Sequence, residues 1–212
     1  MIKFNQEKTI WNVEANKYFE RNKNFYIKNS KIDFPHFKII KKILNMFKKN
    51  NKKISIAEIG SANGLLLKLL WKANKEVTFF AVDPSTKALS YLKRNIYGIR
   101  GTFNNSKLKK DSIDILIYGF CLYFSEKKDH KKIRKEALRI LKKGGYIVIY
   151  DFYSKKFKSV TYKHDRRIKI TKMDFSKIFK CKNLKLIYKN IIYLNKIKKQ
   201  KNKRGIFVIK KK

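Results

Sequence analysis

The sequence predicts an α/β fold: a doubly wound sheet of about seven strands, helices on both faces and the last strand antiparallel. Three observations carry that expectation. Short β-like runs alternate with helical patterns from residue 54 to residue 150. Those runs are apolar on both faces, as strands of a covered parallel sheet must be. The final two runs, 184–194 and 205–209, leave no room for a helix between them, so they should pair antiparallel. The 212 residues are 43% hydrophobic with only 2 prolines and 8 glycines, which suits one core and sets aside disordered and fibrous classes.

In chain order, residues 1–52 read as a helical lid segment dense in aromatic side chains, among them Trp11, Tyr18, Phe19, Phe25, Tyr26 and Phe34. Ile39, Ile40, Ile43, Leu44 and Phe47 follow helical spacing, with Asp33 and Pro35 as start signals. Residues 53–212 form the core, and no linker separates the two parts. A strand at 54–59 ends in Gly60, and Leu65 to Trp71 is helical. A second strand, 77–82, ends in Asp83-Pro84-Ser85 and precedes a helix at 88–92. The next strand is 113–120. A helix with Ile133, Ala137, Leu138 and Leu141 on one face runs into Gly144-Gly145, read as a helix-ending turn, before the strand at 146–150. The stretch 152–172 reads as an irregular insert lying over the pocket.

Charge is the loudest compositional feature, yet its form weakens the obvious conclusion. The net charge is +40, but only 8 of the 55 basic residues are arginine. A surface selected for phosphate or guanine contacts favours arginine's fork. Lysines spread over nearly every segment, together with abundant Asn and Ile, point to compositional bias more than to a patch. The densest run, 196–204, is expected to be a hairpin loop. The longest apolar stretch, 115–124, is far short of the ~20 residues that a membrane helix needs. The opening residues lack a signal-peptide core, which gives an expectation of a cytoplasmic protein. Cys121 and Cys181 have neither disulfide-framework nor zinc-site spacing, so free thiols and no metal are expected.

Polar or small residues follow each strand end: Glu58 to Gly64, Asp83 to Ser85, Phe120 to Tyr123, and Asp151 to Tyr153. Ligands of open α/β sheets bind outside the carboxyl ends of the strands, so these segments should converge. Gly60 and Gly64 flank a tight strand-to-helix turn, and Asp83 lies 23 residues beyond Gly60 at the next strand end. The dinucleotide pattern GxGxxG fails at Ala62 and Leu65, and no GxxxxGK[ST] loop exists. A nucleoside cofactor without phosphates fits better. Glu58 is expected mainly to orient the turn through backbone N–H groups. Asp83 could alternatively cap the helix after Pro84. His36 and His130 read as surface residues. Tyr123, Asp151 and His164 are candidates to orient or deprotonate a nucleophile.

The segment Ala57-Glu58-Ile59-Gly60-Ser61-Ala62-Asn63-Gly64, followed by Val82-Asp83-Pro84-Ser85 and Leu141-Lys142-Lys143-Gly144-Gly145-Tyr146, resembles class I S-adenosylmethionine-dependent methyltransferases with their Rossmann-like sheet. Tyr18-Phe19-Glu20-Arg21-Asn22 and Lys172-Met173-Asp174-Phe175-Ser176-Lys177 are similar to a bacterial subgroup of small methyltransferases. The resemblance implies that residues 60–64, including Ser61 and Ala62, cradle the methionine part of S-adenosylmethionine and that Asp83 binds ribose. By the same likeness Thr102 and Phe103 lie near adenine, where members often carry an acid that is absent here, and Glu58, Pro84 and Phe120 complete the cofactor set. It implies methyl transfer to a small molecule or saccharide precursor. The alternatives are RNA methylation and a non-catalytic nucleic-acid-binding module on the same fold.

Overall fold

Each core strand alternates two apolar sets, one for each face of the sheet, and the computed structural model of residues 5–28, 34–49, 53–193 and 203–212 covers both sets with helices. The N-terminal part comprises α1 (Gln6–Thr9), a π-helical turn (Ile10–Glu14), α2 (Ala15–Lys28) and α3 (Phe37–Lys48). The sheet region continues with β1 (Ser55–Ile59), α4 (Leu65–Lys72), β2 (Thr78–Asp83), α5 (Thr86–Leu89), β3 (Ile96–Arg100) and β4 (Ile113–Gly119). Then come α6 (His130–Ile140), β5 (Leu141–Phe152), β6 (Lys158–Tyr162), β7 (Asp165–Lys172), β8 (Leu184–Tyr193) and β9 (Lys203–Lys211).

Seven strands form one sheet in the order β3-β2-β1-β4-β5-β9-β8. The first five are parallel neighbours, while β9 runs antiparallel between β5 and β8. On one face Ile56, Ile115, Ile117, Val148 and Val208 meet Ile40 and Leu44 of α3 and Leu67 and Leu70 of α4. On the other, Ala57, Leu116, Tyr118, Ile149 and Phe207 meet Ile133 and Ala137 of α6 and Phe175 and Phe179 of a 3₁₀ turn. The period-2 alternation of every central strand thus assigns each side chain to its layer. The strand order reverses at β1 and β4, which opens the crevice between their C-terminal ends.

Several elements differ from the sequence reading. β3 carries no strong strand signal because it is an edge strand, largely exposed, with Gly98 in its middle. A Cβ at Gly98 would lie 2.6 Å from the Leu92 side chain, so a larger residue there would have to displace Leu92 in the loop before β3. The insert at 152–172 is not irregular: β6 and β7 form an antiparallel ribbon. Helix α5 is shorter than expected. Gly144-Gly145 does not end a helix. Helix α6 passes directly into β5 at Leu141, and the pairing with β4 shifts between Ile113 and Ile115. Lys142 there reaches Asp114, its Nζ donating at 2.6 Å, and Asp114 also accepts the Ser55 amide at 2.9 Å. The start signal Asp33 and residues 196–202 of the basic run lie outside the described residues, while Lys203 and Arg204 belong to β9. Among the described residues no helix is long and apolar enough to cross a membrane.

Phe207 is fully buried beneath α6 and the 3₁₀ turn. Phe207→Ala should therefore lower stability by about 3–5 kcal/mol, read from urea unfolding. A loss under 1 kcal/mol would mean that β9 is not part of the core.

Candidate functional site

The turn after β1 is set by three residues with left-handed backbone in five positions: Gly60 at φ +73°, Ala62 at +47° and Gly64 at +67°. At Gly60 a Cβ would sit 2.4 Å from the Cys121 Cβ, so no other residue fits without moving the β4 end. Ala62 adopts its left-handed conformation despite its Cβ, at a cost of about 1 kcal/mol. Hydrogen bonds hold it there. The Ala62 amide donates to Asp83 at 2.8 Å, and the Gly60 amide donates to the Val82 carbonyl at 2.8 Å.

Asp83 is the pin of this arrangement. Its other oxygen accepts the Ser85 amide at 2.8 Å, and Ser85, not Asp83, caps α5 by accepting from the Ala88 amide. Burial pushes the Asp83 carboxyl up to about 6 while the two amides pull it back. Asp83 also performs the task expected of Glu58. Glu58 instead keeps an Oε2 that is buried without a partner, and its Oε1 lies where a Cβ on Gly119 would come within 2.6 Å. Burial, followed by repulsion from Asp83, pushes the Glu58 carboxyl well above the usual range.

Around this turn lies one cleft with two lobes. Tyr18, Tyr26, Gly60, Ala62, Gly119 and Phe120 line both. The first lobe adds Asp83, Pro84, Thr102, Phe103 and Tyr123, together with Glu7 and Glu14 from the N-terminal segment. The acid that the sequence lacks beside Thr102 is supplied from far away: Thr102 Oγ1 donates to Glu7 at 3.0 Å. The second lobe adds Glu58, Ser61, Phe34, His36, Tyr150 and Arg204. His36 is 1% exposed, which corrects the surface reading; its ring stacks on Tyr150 at 4.9 Å. His130 is half-buried.

The N-terminal helices roof both lobes and are tied down by polar contacts. Buried Gln6 donates to the carbonyls of Phe124 and Lys169, at 2.8 and 2.9 Å, and accepts the Lys169 amide at 2.7 Å. Asn16 accepts from the Ser85 hydroxyl at 2.7 Å, and Asn63 donates to the Tyr26 carbonyl at 3.2 Å. Arg21 pairs with Glu14 and donates to the Tyr162 hydroxyl at 3.0 Å. The π-helical turn places Ile10 and Glu14 on the cleft wall, a use common for such turns. The ribbon β6–β7 therefore braces the roof, and none of residues 152–172 lines either lobe.

The three catalytic candidates come apart in the structure. Tyr123 lines the first lobe, its ring 4.2 Å from Phe124 and 5.3 Å from Phe152. Asp151 is fully buried outside the lining; it accepts the Phe152 amide at 2.7 Å and the Tyr123 amide at 3.2 Å, and so fixes the 3₁₀ turn Leu122–Phe124. His164 is exposed at the tip of the β6–β7 ribbon, beside Tyr162 and off the cleft, because the hairpin folds it outward. Of the expected cofactor residues, Gly64 opens α4 behind the turn, and Phe120, at φ +60°, stands between the lobes. Glu7, Glu14, His36, Tyr150 and Arg204 escaped the sequence reading since nothing local marks them; the aromatic density of residues 1–50 was the one available signal.

Residues 57–149 match a family model described as a methyltransferase domain. This match, together with the fold, supports a class I S-adenosylmethionine-dependent methyltransferase domain. A curated relative of the chain, the tRNA N(3)-methylcytidine methyltransferase of Schizosaccharomyces pombe, is 26% identical over 163 residues, or 69% of this chain and 52% of that protein. The chain thus spans about half the length of that relative. The Burkholderia thailandensis 1,6-didemethyltoxoflavin-N1-methyltransferase with bound S-adenosylhomocysteine superposes with a TM-score of 0.71 at 9% identity, covering 97% of this chain and 88% of that one. A methyltransferase in complex with the Haloferax volcanii Trm112 activator gives 0.64 at 14% identity, covering 93% and 96%. These two likenesses show the fold.

The cofactor is S-adenosylmethionine. The residues present suit it: the turn from Gly60 to Ala62 lines the cleft, an acid stands at the β2 end, and the Ser61 hydroxyl is buried without a partner.

Asp151 gives the protein a pH signature. Burial lifts its carboxyl to about 7 in the folded state, above the unfolded value near 3.9. The folded state therefore holds this proton more tightly. The resulting stability is complete below about pH 4 and is lost as pH rises through 7, on the order of 4 kcal/mol for this group. Asp83 acts in the same direction. Urea midpoints at pH 4.5 and 7.5 should differ less in Asp151→Asn than in the wild type. An identical difference in both proteins would show that Asp151 does not carry it.

Proposed function

We propose that the protein transfers a methyl group from S-adenosylmethionine to a compact polar acceptor, of the small-molecule or saccharide-precursor kind, seated in the second lobe. The observation that carries this reading is the roof. Helix α2 and the segment at Phe34 to His36 contribute walls to the second lobe, which favours a small guest over an extended chain. In this reading Asp83 accepts hydrogen bonds from the ribose hydroxyls, as its place at a strand end beside the turn favours. Thr102 and Phe103, with Glu7, surround the adenine. The turn from Gly60 to Gly64 holds the methionine part, with Pro84 and Phe120 as apolar walls.

The cofactor supplies an activated methyl on a sulfonium, so the chain's own work is mainly to align the acceptor and keep water out. Phe120, shared by both lobes, stands where the two ligands would meet. Tyr123 contributes an apolar wall and one hydroxyl, which burial keeps protonated.

A second reading, RNA methylation, is favoured by the tRNA-modifying relative and by the +40 charge. Transfer of labelled methyl to tRNA and to a panel of sugar nucleotides, at 50 and 200 mM salt, separates the two. The compact-acceptor reading expects labelled sugar products and little change with salt. The RNA reading expects labelled tRNA, with transfer falling tenfold or more as salt rises.

The cofactor assignment has its own test. Asp83→Asn should weaken S-adenosylhomocysteine binding at least tenfold in calorimetry, and Asp83→Ala at least as much. Unchanged affinity in both would remove Asp83 from the cofactor site.

A further inference from the structure

Arg204 enters the second lobe from β9, and three aromatic rings surround its guanidinium. The group lies 4.0 Å from the Phe120 ring centre and 5.6 and 5.5 Å from those of Tyr150 and Phe152. Its Nη1 makes a long 3.4 Å hydrogen bond to the Tyr150 hydroxyl, and its Nε is buried without a partner. Arg21, Arg139 and Arg167 each hold a carboxylate. Among the described residues Arg204 pairs with none. Asp151 feels its charge, but the Asp151 oxygens are taken by the amides of Phe152 and Tyr123.

His36 lies on the wall of the same lobe. Both of its ring nitrogens are buried and unpartnered, and burial alone pulls its pKa down to about 3, so the imidazole is neutral with one donor and one acceptor. Glu58, Tyr18, Tyr26 and Tyr150 are the other titratable groups of the lobe. Burial disfavours the charged form of Glu58, while Arg204 brings a cation to the lobe. A guanidinium Nε and an imidazole left without partners in one buried lobe are each costly unless a ligand completes them. A guanidinium is itself a planar fork, the geometry that matches carboxylate and phosphate, and the rings around Arg204 hold it at the lobe.

We infer that the second lobe binds an acceptor bearing an anionic group, a carboxylate or a phosphate, clamped by Arg204, with His36 hydrogen-bonded to the acceptor beside it. This inference rests on the compact-acceptor reading and narrows it.

Calorimetric titration of the S-adenosylhomocysteine-saturated protein with glucuronate, glucose 6-phosphate and glucose tests it. The two anionic sugars should bind at least tenfold more tightly than glucose. Arg204→Gln should erase that gap, Arg204→Lys should keep part of it, and His36→Asn should weaken the anionic sugars about tenfold with S-adenosylhomocysteine affinity unchanged. Thermal melts establish that each variant is folded, and Arg204→Lys keeps both charge and aliphatic stem. Equal binding of all three sugars, or binding of none, overturns the inference. A gap that persists in Arg204→Gln does so too, because it then arises from the basic surface. A tenfold loss of S-adenosylhomocysteine affinity in Arg204→Gln also overturns it, since the arginine then serves the cofactor's own carboxylate. Sugar binding that ignores charge leaves the compact-acceptor reading standing, whereas tRNA methylation without sugar binding removes that reading itself.

Discussion

The Asp83 carboxylate receives the amide of Ala62 on one oxygen and the amide of Ser85 on the other, both at 2.8 Å, and so ties two strand-end loops to one charged group. The cleft depends on that tie. It holds Ala62 in a backbone region that alanine avoids, which sets the path from Gly60 to Gly64 and the start of α4. It also presents the residues around Pro84 to the first lobe. Burying a carboxylate is costly, and two backbone donors offset part of the cost. The fold thus uses the acid as a structural joint at the place where an acid is also wanted for a ligand.

The N-terminal segment before α3 is held by polar pins as well as by apolar contacts. Phe19 packs with Ala62 and Ala88, but Gln6, Asn16 and Arg21 supply the directional contacts to the 3₁₀ turn, the β2 end and the β6–β7 ribbon. Hydrogen bonds fix position where apolar contact would allow sliding. This accounts for a glutamine that is 2% exposed in a helix of four residues. It also accounts for a glutamate at position 7 serving a site built from residues around 83 and 102.

The core was legible because its signals are local. Short apolar runs in β1, β2, β4 and β5 and helical spacing in α3, α4 and α6 each sit within one window of sequence, and the glycine turn and Asp83 mark their own strand ends. What escaped has a nonlocal cause. β3 is held by its neighbour β2 and by the space at Gly98, neither of which its own five residues announce. His36 looks like a solvated helix start until Tyr150, more than a hundred residues later, is placed against its ring. His164 looks well placed until the hairpin carries it outward. Glu58 and Asp83, both acids at strand ends, read alike in sequence. Only the backbone path determines which of them takes the amides.

The position of β9 has a consequence for how the molecule comes into being. This strand is synthesised after every other strand of the sheet, yet it occupies an interior slot between β5 and β8. A nascent chain that has already folded β1 to β5 keeps β5 as an open edge with unpaired N–H and C=O groups. Closing the slot requires contacts between β5 and residues some fifty positions later, a nonlocal step that is slow relative to helix formation. Arg204 therefore reaches the cleft only in that last step. Assembly and ligand competence are coupled in time: the ribosome has delivered all of β1 to β8 before the second lobe has its cation.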